Sequence, residues 1–268
     1  MAFPMRGIDI SSYQGGMDIA AVCSKNDLEF TIVKATEGLH LVDAWCDRFV
    51  CELERVNMLW GFYHFARNND PAEEAAYFYR QTRNYFGRGI PVLDIEDSAI
   101  PDWSAYAKRF ADYIHTMSGV YPMIYTNAGS CWRFSDNDTF KNCALWVAGY
   151  PRPARYWSQN ILEEFDYSIY PWAQASAWQF SGSGDIYGYN GNVDLDFAWM
   201  DAEGWKKIAT GGKEQPEPSK DSLFLTACKV IAGLYGNGEA RRKALQANGY
   251  DYDAVQELVT KMIEDYAR

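Results

Sequence analysis

The sequence predicts an α/β protein: a modified, irregular β/α barrel of TIM-like type, with eight strands and fewer helices, followed by a small three-helix module. Three observations carry that expectation. Strand-like apolar runs alternate with helix-length amphipathic segments from the N-terminus, which implies parallel strands with helices outside. Polar, mostly acidic residues fall at or just past the C-terminal ends of these runs, where parallel barrels build their sites. Near residue 210 the composition becomes that of a linker, and a compact helical segment follows.

The strands are expected at residues 7–10, 30–35, 59–65, 90–96, 123–125, 144–148, 177–180 and 193–197. Each is a short apolar run, and eight of them imply a closed barrel. Amphipathic helices are expected at 44–57, 71–86 and 102–117. The later connections are rich in aromatics and loop residues, so the last third of the barrel should be irregular. Residues 1–209 thus form the first domain. Residues 210–220, Thr-Gly-Gly-Lys-Glu-Gln-Pro-Glu-Pro-Ser-Lys, read as a linker. Residues 221–268 read as three helices, at about 223–234, 239–247 and 253–266, with Val255, Leu258, Val259 and Met262 on one face. So short a segment has a marginal core and suits a binding appendage.

Composition narrows the function. The 268 residues carry a net charge of −11, which argues against nucleic acid as a partner and against attraction to an anionic membrane. From Asp221 onward six basic residues meet seven acidic ones, so nearly all the negative charge lies in the first domain. No apolar run approaches the ~20 residues that cross a bilayer. The opening MAFPMRGIDISSYQ lacks a basic segment followed by a long apolar one, so no signal peptide is expected. The six cysteines form no regular framework, and mostly reduced thiols are expected. His40, His64 and His115 lack metal-ligand spacing, and neither a metal nor a cofactor is expected. The aromatic content of 16%, with 19 Tyr and 10 Trp, is high. Clefts that bind sugars use flat aromatic faces, although most such rings simply fill a core.

The stretch Ile90-Pro91-Val92-Leu93-Asp94-Ile95-Glu96-Asp97 is the most informative one for chemistry. Side chains alternate along a strand, so Asp94 and Glu96 should point the same way about one pleat repeat apart. Two carboxyl groups so close repel when both ionise, and one should hold its proton near neutral pH. A protonated acid beside an ionised one is the equipment for glycosidic cleavage. The plainer alternative is a strand end whose acids sit in water or cap a helix. Asp9, Glu37, Asn127 and Asp194 also stand at expected strand ends, and their acidic bias favours the first reading.

Taken together, these segments resemble glycoside hydrolase family 25, the muramidases or lysozymes of bacteria and their phages, over about the first 209 positions. The segments are Gly7-Ile8-Asp9-Ile10-Ser11-Ser12-Tyr13-Gln14, Lys34-Ala35-Thr36-Glu37-Gly38, Gly61 through Arg67, Asp94-Ile95-Glu96, Ile124-Tyr125-Thr126-Asn127, Leu145-Trp146-Val147-Ala148 and Trp178-Gln179-Phe180. The closing Gly191-Asn192-Val193-Asp194-Leu195-Asp196 has Asp196 where Asn is more usual. The resemblance implies hydrolysis of the β-1,4 bond from N-acetylmuramic acid to N-acetylglucosamine in peptidoglycan. It implies Glu96 as general acid, its pKa raised by the nearby carboxylates Asp94, Asp9 and Asp194. Asp94 would be the second catalytic carboxylate, either attacking the anomeric carbon or orienting the substrate's acetamido group. Asp9 and Asp194 would position the sugar and tune the field. Tyr63, Tyr125 and Trp146 would line the groove as stacking surfaces. Glu37 would bond a sugar hydroxyl or pair with Lys34 or an arginine.

The C-terminal segment resembles the short wall-binding helical repeat of some phage lysozymes. The carrying residues are Tyr235-Gly236-Asn237-Gly238, Arg241-Arg242-Lys243 and Gly249-Tyr250-Asp251-Tyr252. The resemblance implies that Arg241, Tyr250 and Asp251 serve binding of a peptidoglycan unit, although the glycines have a plain reading as turn residues. One copy is present, so weak affinity or a homo-oligomer that gains avidity is expected. The whole reads as an endolysin of phage or prophage origin, made in the host cytoplasm and acting on the wall after release. The alternative is a non-catalytic wall-binding protein on an inactive barrel, which the retention of Asp9, Asp94, Glu96 and Asp194 opposes.

Overall fold

The computed structural model describes residues 4–213, 223–231 and 233–266. Residues 214–220 of the expected linker lie outside the described residues. The described residues form nine strands: β1 (Met5–Ile10), β2 (Phe30–Glu37), β3 (Leu41–Val42), β4 (Leu59–Phe65), β5 (Ile90–Asp94), β6 (Met123–Asn127), β7 (Leu145–Ala148), β8 (Ala177–Gly184) and β9 (Val193–Ala198). Their order is β1-β9-β8-β7-β6-β5-β4-β2-β3, and pairing of β1 with β2 closes eight of them into a barrel. The two-residue β3, not foreseen from sequence, is a flap on β2 outside the closure.

The first half obeys β/α logic. α1 (Ile19–Lys25), α2 (Cys46–Arg55), α3 (Pro71–Thr82) and α4 (Trp103–Ser118) follow β1, β3, β4 and β5. Local chemistry sets their ends. Asp70 caps α3 through the amides of Ala72 and Glu73, with Pro71 in the first turn where it lacks only an orphan N–H. Asp102 caps the start of α4, and Gly119 ends it in the left-handed region. In the second half the helices shrink to α5 (Asp138–Asn142) and α6 (Gln159–Leu162), as the irregular composition implied. Between β8 and β9 only residues 185–192 remain, too few for a crossover. β9 therefore runs antiparallel to both β8 and β1.

Strand alternation divides the core. One face of the barrel packs on the surrounding helices; the other fills the interior with Met5, Phe30, Ile32, Ile90, Val92, Met123, Trp146 and Ala177. α7 (Ala202–Thr210) closes one end of that interior. Its Trp205 lies against the Phe30 ring at 4.7 Å, and the indole N–H donates to the Trp60 carbonyl. Apolar residues fill the rest of the shaft, so polar chemistry is confined to the opposite mouth.

The C-terminal helices are α8 (Leu223–Ile231), α9 (Gly238–Ala247) and α10 (Tyr252–Tyr266). Phe224 of α8 packs edge-on against Tyr85 and under the Arg88 guanidinium. Cys51 of α2 and Cys228 of α8 form a disulfide with a Cα–Cα distance of 5.4 Å. The thiols expected to be mostly reduced thus include one bonded pair, 177 residues apart in sequence, a separation no spacing rule detects. Cys23, Cys46, Cys131 and Cys143 are free and buried, and burial raises the pKa of each. None of these four has the depressed pKa of a reactive thiol.

Candidate active site

The mouth of the barrel gathers carboxyl groups because polar residues end several interior-facing rows. On β5 the inward row is Ile90, Val92, Asp94. On β1 Asp9 stands opposite Asp194 of β9 in the ladder, and Gly7 stands opposite Asp196. Asp194 begins β9 rather than ending it, contrary to its expected place at a C-terminal strand end. The reversal of β9 is what brings it to the same mouth. Asp9, Asp94 and Asp196 are buried, and Asp194 is half-buried. Glu96 lies two residues past the end of β5 and is exposed. The simple pleat argument therefore does not describe the pair, although the two acids still interact.

Burial pushes the Asp94 carboxyl well above its ordinary value, and Glu96 adds to the rise, while Lys34 and Arg67 oppose it. Glu96, although its side chain reaches solvent, is also raised, by partial desolvation at the mouth, and again Arg67 and Lys34 pull it down. The expected cause for Glu96, a crowd of carboxylates, is thus replaced by desolvation against two cations. Asp9 is raised by burial, then by Asp194 and Asp196. Burial raises Asp194 to about 6, against a hydrogen bond with Asp9. Asp94 Oδ1 is buried and has no hydrogen-bond partner among the described residues. It is an acceptor, or a donor when protonated.

Neutral polar groups tie these acids down. Gln179 of β8 donates from Nε2 to Asp9 Oδ2 at 2.6 Å. Its Oε1 accepts from the hydroxyls of Tyr125 (2.8 Å) and Tyr150 (2.6 Å). Tyr63 is half-buried; burial, Asp9 and Asp94 push its pKa up, so its hydroxyl stays a donor facing the acids. Tyr125 is buried and held by Gln179. Trp146 is placed differently from its expected role as a stacking surface. It is only 2% exposed, and its indole N–H donates to Asp196 Oδ1 at 2.9 Å. Tyr150, 53% exposed and anchored by its hydroxyl, offers the ring face that Trp146 does not.

Glu37 does not stand free. Lys34 Nζ and both Nε and Nη2 of Arg67 donate to it. Burial would raise Glu37, but these hydrogen bonds outweigh it and lower the pKa. Arg67 also reaches Asp97 and lies 4.5 Å over the Phe65 ring. Arg67, Gln179, Tyr150 and Asp196 were not among the residues expected to form the site. The available signal was a polar residue at an interior position of a buried strand, as in Ala177-Trp178-Gln179.

In the C-terminal module the three expected binding residues have internal partners. Arg241 donates to the Gly236 carbonyl, Asn237 Oδ1 and Gln256 Oε1. Asp251 Oδ1 accepts from the amides of Asp253 and Ala254, capping α10. Tyr250 meets Tyr235 edge-on. Gly236, Gly238 and Gly249 all have positive φ, which favours their reading as turn residues.

A closed barrel whose mouth holds an Asp/Glu pair, three further inward acids and a half-exposed aromatic face has the parts of a two-carboxylate glycosidase. Comparison with known proteins agrees. Glycosyl hydrolases family 25 matches residues 8–189, and the CW_7 repeat matches residues 226–263. The chain belongs to glycosyl hydrolases family 25. It is 31% identical to an autolytic lysozyme of Clostridium acetobutylicum over 72% of this chain, and spans about half (55%) of that protein's length. It is 27% identical to a lysozyme of Streptococcus phage Cp-7, over 95% of this chain and 69% of the relative. The bacterial lysozyme of Streptomyces coelicolor shares the fold, with a TM-score of 0.65, 23% identity, and coverage of 80% of this chain and 100% of that one.

Proposed function

We infer that this chain hydrolyses the β-1,4 bond between N-acetylmuramic acid and N-acetylglucosamine in bacterial peptidoglycan. The observation that carries this is the exposed, raised-pKa Glu96 beside the buried, unpartnered Asp94 oxygen at a mouth flanked by Asp9 and Asp194. Glu96 is the acid that reaches the leaving oxygen. A glycan lying over it removes water and favours its protonated form, while Lys34 and Arg67 keep the proton loose enough to leave. Asp94 then works as the ionised partner, attacking the anomeric carbon or orienting the acetamido group from within hydrogen-bond reach. Asp9, held by Gln179, and Asp194 position the sugar, and the Tyr150 ring takes the stacking role.

The names of the Clostridium and phage relatives support lysozyme activity, and the Cp-7 likeness spans both the barrel and the helical repeat. We read the protein as a phage or prophage endolysin that is held in the host cytoplasm and reaches the wall on release. The single repeat then supplies one weak wall contact, and self-association, measurable by light scattering, is the route to avidity.

The test is mass spectrometry of borohydride-reduced fragments released from purified Gram-positive walls by wild type and Glu96→Gln. Wild type should release fragments ending in reduced N-acetylmuramic acid, and the variant at least about 10²-fold fewer. Ends in reduced N-acetylglucosamine would assign the other bond. No fragments with wall binding intact would favour a non-catalytic barrel.

A further inference from the structure

Asp196 is the most deeply buried acid at the mouth, with no exposed surface. Its Oδ1 accepts the Trp146 indole N–H. Its Oδ2 is also buried, and among the described residues no N–H or hydroxyl donates to it. Asp9 lies beside it with its own Oδ2 taken by Gln179, and Asp194 lies beside Asp9. The donors that surround the three acids are neutral, and their charged neighbours are other acids. Three ionised carboxylates in so dry a place would repel one another, and one oxygen would be left without a donor.

A single proton resolves both faults. Placed on Asp196 Oδ2 and directed at Asp9, it removes one charge and makes the orphaned oxygen a donor. Trp146 decides which oxygen carries it, because an indole N–H needs an unprotonated acceptor at Oδ1. We propose that Asp196 is a positioning residue for this site: as a neutral acid, it donates to Asp9 and so holds Asp9 ionised and oriented toward Asp194 and the incoming sugar.

Asp196 is the more deeply buried of the two, with no exposed surface against 7% for Asp9, so its charge is the costlier one to hold. Burial, then Asp194, pushes Asp196 above its ordinary range against hydrogen bonds with Trp146 and Asp9, and Asp9 is pushed up likewise, by burial, Asp194 and Asp196, against the Gln179 amide. The titratable groups facing the trio are Asp94 of β5, Tyr63 of β4, Tyr125 of β6, Tyr150 after β7 and, toward the solvent, Glu96. Burial, then neighbouring carboxylates, pushes all three phenols up, so none supplies a charge. Asp196 itself touches no substrate; it acts through Asp9.

The role predicts an uncommon pattern. Asn at this position keeps an acceptor for Trp146 and gives Asp9 a permanent N–H donor, so Asp196→Asn reproduces the protonated state. Asp196→Ala removes both. The first readout needs no activity and so stands apart from the reading of function on which this inference rests. In Glu96→Gln protein labelled with ¹³C at the aspartate carboxyls, the Asp196 resonance, assigned by its absence in Asp196→Asn, should keep the position of a protonated acid at pH 7. A carboxylate position there would overturn the proposal.

The second readout is a pH profile of kcat and KM on soluble glycan fragments. Asp196→Asn should keep kcat within about twofold of wild type near neutral pH. Asp196→Ala should lose more than about tenfold, in kcat rather than KM. Equal losses in the Asn and Ala variants would mean that an ionised Asp196 is required, and would also overturn the proposal. Should the Ala variant not fold, the resonance and the Asn profile still decide.

Discussion

Behind the site wall, His64 of β4 and Glu74 of α3 are both fully buried and bonded at 2.7 Å. Glu74 also accepts from the Arg67 amide (3.0 and 3.2 Å) and from Asn69 Nδ2. Thr36 Oγ1 lies 2.8 Å from His64 Nδ1, so an Nε2–H tautomer serves both partners. Burial holds His64 below its ordinary pKa despite Glu74. Burial would raise Glu74, but His64 and the Arg67 amide outweigh it and lower the pKa. The pair is thus a neutral imidazole and a carboxylate. Truncating Glu74→Ala strands donors in a dry place, a loss of about 3–5 kcal/mol. At 2–4 °C per kcal/mol for a domain of this size, the melting temperature should fall by roughly 6–20 °C. Glu74→Gln, which keeps an acceptor, should lose about 1–2 kcal/mol.

Circular dichroism melts at pH 7 measure both variants, and wall lysis well below the melt measures the functional echo. Releasing the Arg67 amide should loosen the guanidinium that holds Glu37 and Asp97, and so weaken lysis before the barrel unfolds. The acid side has a definite sign. Both folded-state pKa values are depressed, so both groups contribute stability that is lost on acidification. For His64 the loss starts as pH falls below about 6.5; for Glu74 it starts below about 4.3 and runs down through the folded value. A Glu74→Ala protein that melts within about 2 °C of wild type and lyses walls at the full rate would refute the reasoning.

Two further substitutions probe other links. Arg67→Met removes a cation that lowers both Asp94 and Glu96, so both limbs of the kcat/KM–pH profile should move to higher pH; an unmoved profile would show that Arg67 acts on structure alone. Cys228→Ser opens a loop of 177 residues, and the chain-entropy argument gives a loss of up to about 5 kcal/mol, read by urea unfolding against the disulfide-bonded parent; a midpoint unchanged in both would mean that the crosslink does not stabilise the fold.

All eight barrel strands were legible in the sequence because each is a short apolar run with a polar end. What escaped was direction. Nothing in Val193 to Ala198 says that β9 runs backwards; that follows from the brevity of residues 185–192, a property of the connection rather than of the strand. The error mattered at Asp194, whose place at the mouth is right for a reason opposite to the expected one. The helix α7 was missed for a related reason: it caps the barrel end rather than alternating with strands, so the repeating pattern gave no slot for it.

The site shows the same division between residue type and environment. Asp9, Asp94 and Glu96 announce themselves as acids where an apolar strand should end. Gln179 and Asp196 sit one register step deeper, and their meaning is collective: Gln179 bonds Asp9, Tyr125 and Tyr150 at once, and Asp196 bonds Trp146 while leaving one oxygen for Asp9. Trp146 was expected, from its place in the family's motifs, to be a sugar platform, yet it ends as a buried donor because its strand turns it into the barrel. Tyr150, two residues past the end of that strand, is free of the ladder and can face the groove. A side chain inside the ladder is spent on holding the acids, and one just beyond it is available to the substrate. That rule also separates Asp94, the last residue of β5, from Glu96, which has left it, in keeping with the fixed carboxyl and the reaching acid proposed for the two residues in that order.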